Sequence, residues 1–153
     1  MEILIVYAIL WKCGFKSNKE YNRFLDEMFL KNPQSTFLLE LEECSSNCDV
    51  TYEKIDRFWN YEYHGFHIEL FGETLFHCLE VIYTNNAFSI EEFGQRCHAL
   101  WNCLPGQMGK MEPFFTLCYA DDYLSWGEEN QTRMLYEKTF AFYKVNGNQI
   151  QCL

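Results

Sequence analysis

Two cysteines, a histidine and a tryptophan crowd into one short run, FGQRCHALWNCLPG, from Phe93 to Gly106. Thiols beside an imidazole raise two chemistries, zinc ligation and attack by a thiolate. Structural zinc sites space their paired ligands about two to four residues apart. Here Cys44 and Cys48 are a near pair, Cys97 and Cys103 stand too far apart, and His64, His67 and His77 offer only dispersed donors. Neither a metal nor a cofactor is therefore expected. A nucleophilic Cys97 or Cys103 needs a lowered pKa and a positioned base, His98 or His77, and spacing supplies neither. A buried thiol acting as a small hydrophobe is the commoner role. A thiol- or metal-dependent enzyme using Cys97/Cys103 and His98/His77 stays open as an alternative, as does a non-catalytic adaptor. The carboxylate pairs Glu91/Glu92 and Asp121/Asp122 fit acid and base work, magnesium, or a solvated acidic binding surface.

The elements that must position these groups are outlined by hydrophobic spacing. Ile3 to Leu10 is a continuous apolar run, as expected of a strand covered on both faces. Ser17 with Glu20 gives a capping box, and Tyr21, Phe24, Leu25, Met28 and Phe29 follow at helical spacing until Asn32 and Pro33 stop the helix. A strand at Thr36 to Leu41 and a short helix through Tyr52, Ile55, Phe58 and Trp59 are expected next. This β-α-β-α order favours a parallel sheet with helical crossovers. Phe66 to Phe71 fits a strand and Glu73 to Ile82 a helix. Ser89 with Glu92 caps the next helix, whose stripe of Phe93, Cys97, Leu100, Trp101 and Leu104 ends at Pro105 and Gly106. Pro113 opens a strand from Phe114 to Tyr119, Glu129 to Tyr143 forms a helix, and Asn146-Gly147 turns into a last strand, Gln149 to Leu153. The expected architecture is a single α/β domain over residues 1–153, with a mainly parallel sheet and two portions, 1–65 and 66–153.

Charge narrows the function. The 153-residue chain carries a net charge of -10, with 48% apolar and 18% aromatic residues. Nucleic acid and anionic membrane share that sign and are disfavoured as partners, whereas a basic protein is favoured. The apolar opening is too short to span a bilayer, and Glu2 occupies the place of a basic leader region, so a cytoplasmic address with reduced thiols is expected. No G-x-S-x-G elbow, phosphate-binding loop, H-E-x-x-H or dinucleotide glycine pattern occurs.

On the helix at Ser89 to Leu104, the cysteines fall on or beside the apolar stripe, while Glu91, Gln95, His98 and Asn102 line the opposite side. The run Ala99-Leu100-Trp101 with Cys103-Leu104, entered by Phe93-Gly94 and followed by Gly106 and Glu112-Pro113-Phe114-Phe115, resembles the barstar-like family of small acidic intracellular ribonuclease inhibitors. That family shows N-L-D-A-L-W-D-C-L in the matching helix. The resemblance covers about residues 66–153 and implies an α/β fold. It also implies a helix and loop that occlude the cationic active site of a nuclease. The two acids of the family's helix fall on His98 and Asn102 here, so the partner cannot be bound in the same way. Glu91, Glu92, Asp121 and Asp122 supply negative charge instead, with Gln95 on the same face and Trp101 as an anchor at its edge. The expectation is an immunity or antitoxin protein, not an enzyme, that binds a cognate bacterial toxin, a basic nuclease.

Overall fold

The structure, a computed structural model, describes residues 1–144. Its contacts separate two compact units, Met1–His67 and one beginning at Ile68.

The first unit contains α1 (Glu2–Lys12), α2 (Asn18–Lys31), α3 (Thr36–Cys44) and α4 (Cys48–Tyr61). Three have sequence-encoded starts. Glu20 accepts hydrogen bonds from the Ser17 N–H at 2.8 Å and hydroxyl at 3.0 Å. Ser35 Oγ accepts from Leu38 N and Asn47 Oδ1 from Val50 N. α1 is apolar nearly all round, burying Leu4, Ile5, Val6, Ala8, Ile9 and Leu10. A helix of that composition is stable only when enclosed, and α2 and α4 pack against it. Tyr21, Leu25, Leu38, Leu41 and Ile55 complete this core. Thr51 Oγ1 donates to the Cys44 carbonyl at 2.9 Å, joining α4 to the end of α3.

The second unit contains α5 (Ile68–Thr84), α6 (Ile90–Asn102), α7 (Thr116–Tyr119) and α8 (Glu129–Ala141), with 3-10 turns at Met108–Lys110 and Asp122–Trp126. α5 packs on α8, α6 on α7, and both α7 and the second 3-10 turn on α8. Its core is aromatic. Phe93 meets Tyr136 edge to face at 5.1 Å and Tyr83 at 5.3 Å, while Phe76 lies 5.4 Å from Phe114. Aromatic pairs of this kind add directional attraction to their burial.

No strand occurs among the described residues, which overturns the α/β expectation, the parallel sheet and the barstar-like fold together. Ile3 to Leu10 is helix, because a short apolar run cannot by itself distinguish a buried strand from a buried helix. Thr36 to Leu41 is also helix, with Leu38 and Leu41 buried three residues apart behind the Ser35 cap. Phe66 to Phe71 leads into α5, whose buried stripe of Phe71, Leu75, Cys78, Leu79 and Ile82 reaches back past Glu73. Phe114 to Tyr119 contains α7, and Phe114, Leu117 and Ala120 recur inward every third residue, a helical spacing that outweighs the aromatic composition. The proposed turn and strand between Asn146 and Leu153 lie outside the described residues. No helix of the described residues is long and apolar enough to cross a membrane.

Candidate functional site

The α6 helix is set by its first turn. Glu92 N–H donates to Ser89 Oγ at 3.2 Å, and the Ser89 N–H donates to the Glu92 carboxylate at 3.1 Å. Ile90, Phe93, Gly94, Cys97 and Leu100 are then buried, leaving Glu91, Gln95, His98 and Asn102 exposed. Glu92 is exposed as well, yet one of its oxygens belongs to the cap. Glu91 and Gln95 have no side-chain partner among the described residues.

A second segment joins this face. Asp121 lies directly on Gly94, where an added Cβ would come 2.6 Å from the Asp121 Cβ. Four residues along α6, His98 Nδ1 contacts the Cys118 carbonyl at 3.0 Å. Because a carbonyl only accepts, that nitrogen carries the proton, and in the neutral ring Nε2 is left as the acceptor. The His98 and Trp101 rings are 5.9 Å apart. The structure therefore brings Glu91, Glu92, Gln95, His98 and Asn102 beside the turn that carries Asp121 and Asp122.

Hydrogen bonds give individual side chains of this face structural roles as well. Trp101 is half-buried, and its Nε1 donates to the Gly109 carbonyl at 2.8 Å, so it ties α6 to the first 3-10 turn. Asn102 donates back to the His98 carbonyl at 3.1 Å. Asp121 is half-buried and Asp122 exposed. The Cys118 thiol is pushed up by burial and by the charges of Asp122 and Asp121, the mark of a negative field along this seam.

Cys97 is completely enclosed, and its thiol is pushed well above the ordinary range, chiefly by burial. A nucleophile needs the opposite shift and access to substrate. Cys103 is half-buried, and His77 on α5 is exposed and makes no hydrogen bond among the described residues. No three His, Cys, Asp or Glu side chains gather to hold a metal ion among the described residues. Clefts among the described residues of the second unit include one of about 190 Å³ beside Tyr83, Phe88 and Arg133 and one of about 270 Å³ beside Glu112, Thr116, Tyr119 and Lys138. Both are smaller than the ~300–1,000 Å³ usual for ligand pockets.

Tyr123 and Trp126 lie outside the residues expected from the sequence to form the site. Their rings meet edge to face at 5.5 Å, and Trp126 is 71% exposed. The signal was present in DDYLSWGEE, an aromatic pair between two acidic pairs. Comparison with family models, curated proteins and solved structures finds no match to this chain.

Proposed function

We propose that this chain is an immunity or antitoxin protein that binds a basic protein toxin, a nuclease by preference, and covers its active site. The observation that carries this reading is the convergence of Glu91, Glu92, Gln95, His98 and Asn102 on α6 with Asp122 from a turn some twenty residues later. They form an exposed surface with acidic side chains. Nuclease active sites are cationic because they hold phosphate, and a carboxylate surface competes for the same arginines and lysines. The chain's charge of -10 would hasten such an encounter. The same charge disfavours nucleic acid and membrane as partners. The reading places the protein in the cytoplasm, where thiols stay reduced.

The mode of binding is not that of the barstar-like inhibitors, whose sheet this chain lacks in its described residues. The direct experiment mixes the protein with the toxin encoded by the adjacent open reading frame at low salt. A stable complex that blocks toxin activity, and that the double variant His98→Ala, Asn102→Ala weakens, is the expected result. Absence of any complex overturns the proposal. Unchanged affinity in the variant moves the interface off α6.

A further inference from the structure

The second 3-10 turn displays an aromatic pair within an acidic stretch of the sequence. Leu124 N–H donates to the Asp121 carbonyl, Gly127 N–H to that of Leu124, and Glu128 N–H to that of Tyr123, each at 3.0 Å. Gly127 closes the turn at φ 74°, a conformation that costs glycine little. Thr132 Oγ1 donates to the Ala120 carbonyl at 2.7 Å and fastens α8 behind it. Trp126 is thus held out on a hydrogen-bonded turn, 71% exposed, with Tyr123 against it.

The surrounding charge says what such a pair would meet. Between Lys110 and Arg133 the sequence contains no lysine or arginine, but it contains Glu112, Asp121, Asp122, Glu128 and Glu129. Glu129 is engaged by Arg133 at 2.6 Å. Asp122 and Glu128 are exposed and form no ion pair among the described residues. An aromatic face draws a cation through its quadrupole. Of the two basic side chains, arginine is the better fit, since its flat guanidinium lies on a ring while its N–H edge remains free for carboxylates.

We propose that Trp126 and Tyr123 form a platform for an arginine side chain of a basic protein partner, with Asp122 and Glu128 taking its N–H groups. The inference rests on the reading of a basic partner and names the chemistry by which this turn would hold it. It adds a second contact region to the α6 face, built on residues that face does not use.

Hexa-arginine and hexalysine peptides, titrated calorimetrically into the full chain at low salt, provide the test. Hexa-arginine is expected to bind more tightly than hexalysine. Trp126→Ala should weaken hexa-arginine by roughly two- to five-fold and hexalysine by less, with an unchanged thermal midpoint because the ring is exposed. Asp122→Asn combined with Glu128→Gln should weaken both peptides. Equal binding of the two peptides, or hexa-arginine affinity untouched by Trp126→Ala, overturns the platform whatever toxin experiments show. Loss of peptide binding in Trp126→Ala beside a failure to bind any adjacent toxin upholds the platform and overturns the toxin reading.

Discussion

Asp121 rests on Gly94 so closely that a methyl group at position 94 would stand 2.6 Å from the Asp121 Cβ. The clash falls on an atom next to the backbone, so it cannot be relieved by swinging a flexible side chain. Gly94→Ala would ordinarily favour a helix, by roughly 0.5–1 kcal/mol. Here overpacking, at about 1–3 kcal/mol, wins. Urea unfolding should show Gly94→Ala destabilised, and His98 and Cys118 should part. A variant as stable as the wild type would mean that the turn moves freely on α6.

The acidic pair at the start of α6 can be separated by function. Glu92 closes the cap with Ser89, while Glu91 has no partner among the described residues. Glutamine keeps the hydrogen-bonding shape of a capping box, so Glu91→Gln with Glu92→Gln should melt near the wild-type temperature. The same variant should bind a basic partner several-fold less tightly, with a shallower salt dependence, because the long-range attraction is charge and not contact. Ser89→Ala should do the reverse, losing about 1 kcal/mol of stability while the affinity of the folded protein is kept. Binding by titration at two ionic strengths, beside a thermal melt, distinguishes the cases.

What the sequence disclosed followed from how local each signal was. The Ser17–Glu20 and Ser89–Glu92 caps are contacts within one turn, and both helices begin where those residues place them. The exposed face of α6 also follows from spacing alone. Whether Ile3 to Leu10 is strand or helix depends instead on whether helices or neighbouring strands enclose it, a tertiary property invisible in a run of uniformly apolar residues. Read as a strand, that run makes the β-α-β-α order and the resemblance to an α/β family support each other. Exposure, and not its spacing, singles out Trp126. The position of Asp121 on Gly94 was equally illegible, since it joins residues distant in the chain.

Two carboxylates of the first unit should respond oppositely to pH. Glu2 is 3% exposed; its burial raises the pKa, but hydrogen bonds from the His67 N–H at 2.9 Å and the Tyr63 hydroxyl at 2.7 Å more than offset this and hold it below the usual 4.5. A depressed folded value stabilises above the unfolded one and loses that contribution as pH falls through the folded one. Glu42 is raised instead, by burial and then by the charge and shared hydrogen bond of Asp26. Its contribution is present below the unfolded value and is lost as pH rises through the folded one. Glu2→Gln should therefore be less stable than wild type at neutral pH, with the gap narrowing below about pH 4.5. Asp26→Asn should be more stable than wild type at neutral pH and lose that advantage in acid. Urea midpoints measured across the acid range test both signs, and parallel curves for all three proteins would refute them.

Tyr136 and Cys97 decide whether the centre of the second unit is built for packing or for chemistry. The Tyr136 side chain is fully buried, its hydroxyl has only the Cys97 thiol beside it as a weak partner among the described residues, and its ionisation is suppressed by burial and by nearby Cys97 and Asp121. A thiol is a weak hydrogen-bonding partner, so it offsets only part of the cost of burying a hydroxyl, about 1–3 kcal/mol when unmet. Tyr136→Phe removes that oxygen and keeps the ring against Phe93, so its stability should equal or exceed that of the wild type. A core that only packs also predicts that iodoacetamide leaves Cys97 unmodified in the native protein, since the thiol is both enclosed and held protonated. Peptide mapping after alkylation, native against urea-unfolded, reads this directly. Native labelling of Cys97, or a loss of stability in Tyr136→Phe, would show that the contact between Tyr136 and Cys97 is more than weak and reopen the thiol chemistry that burial argues against.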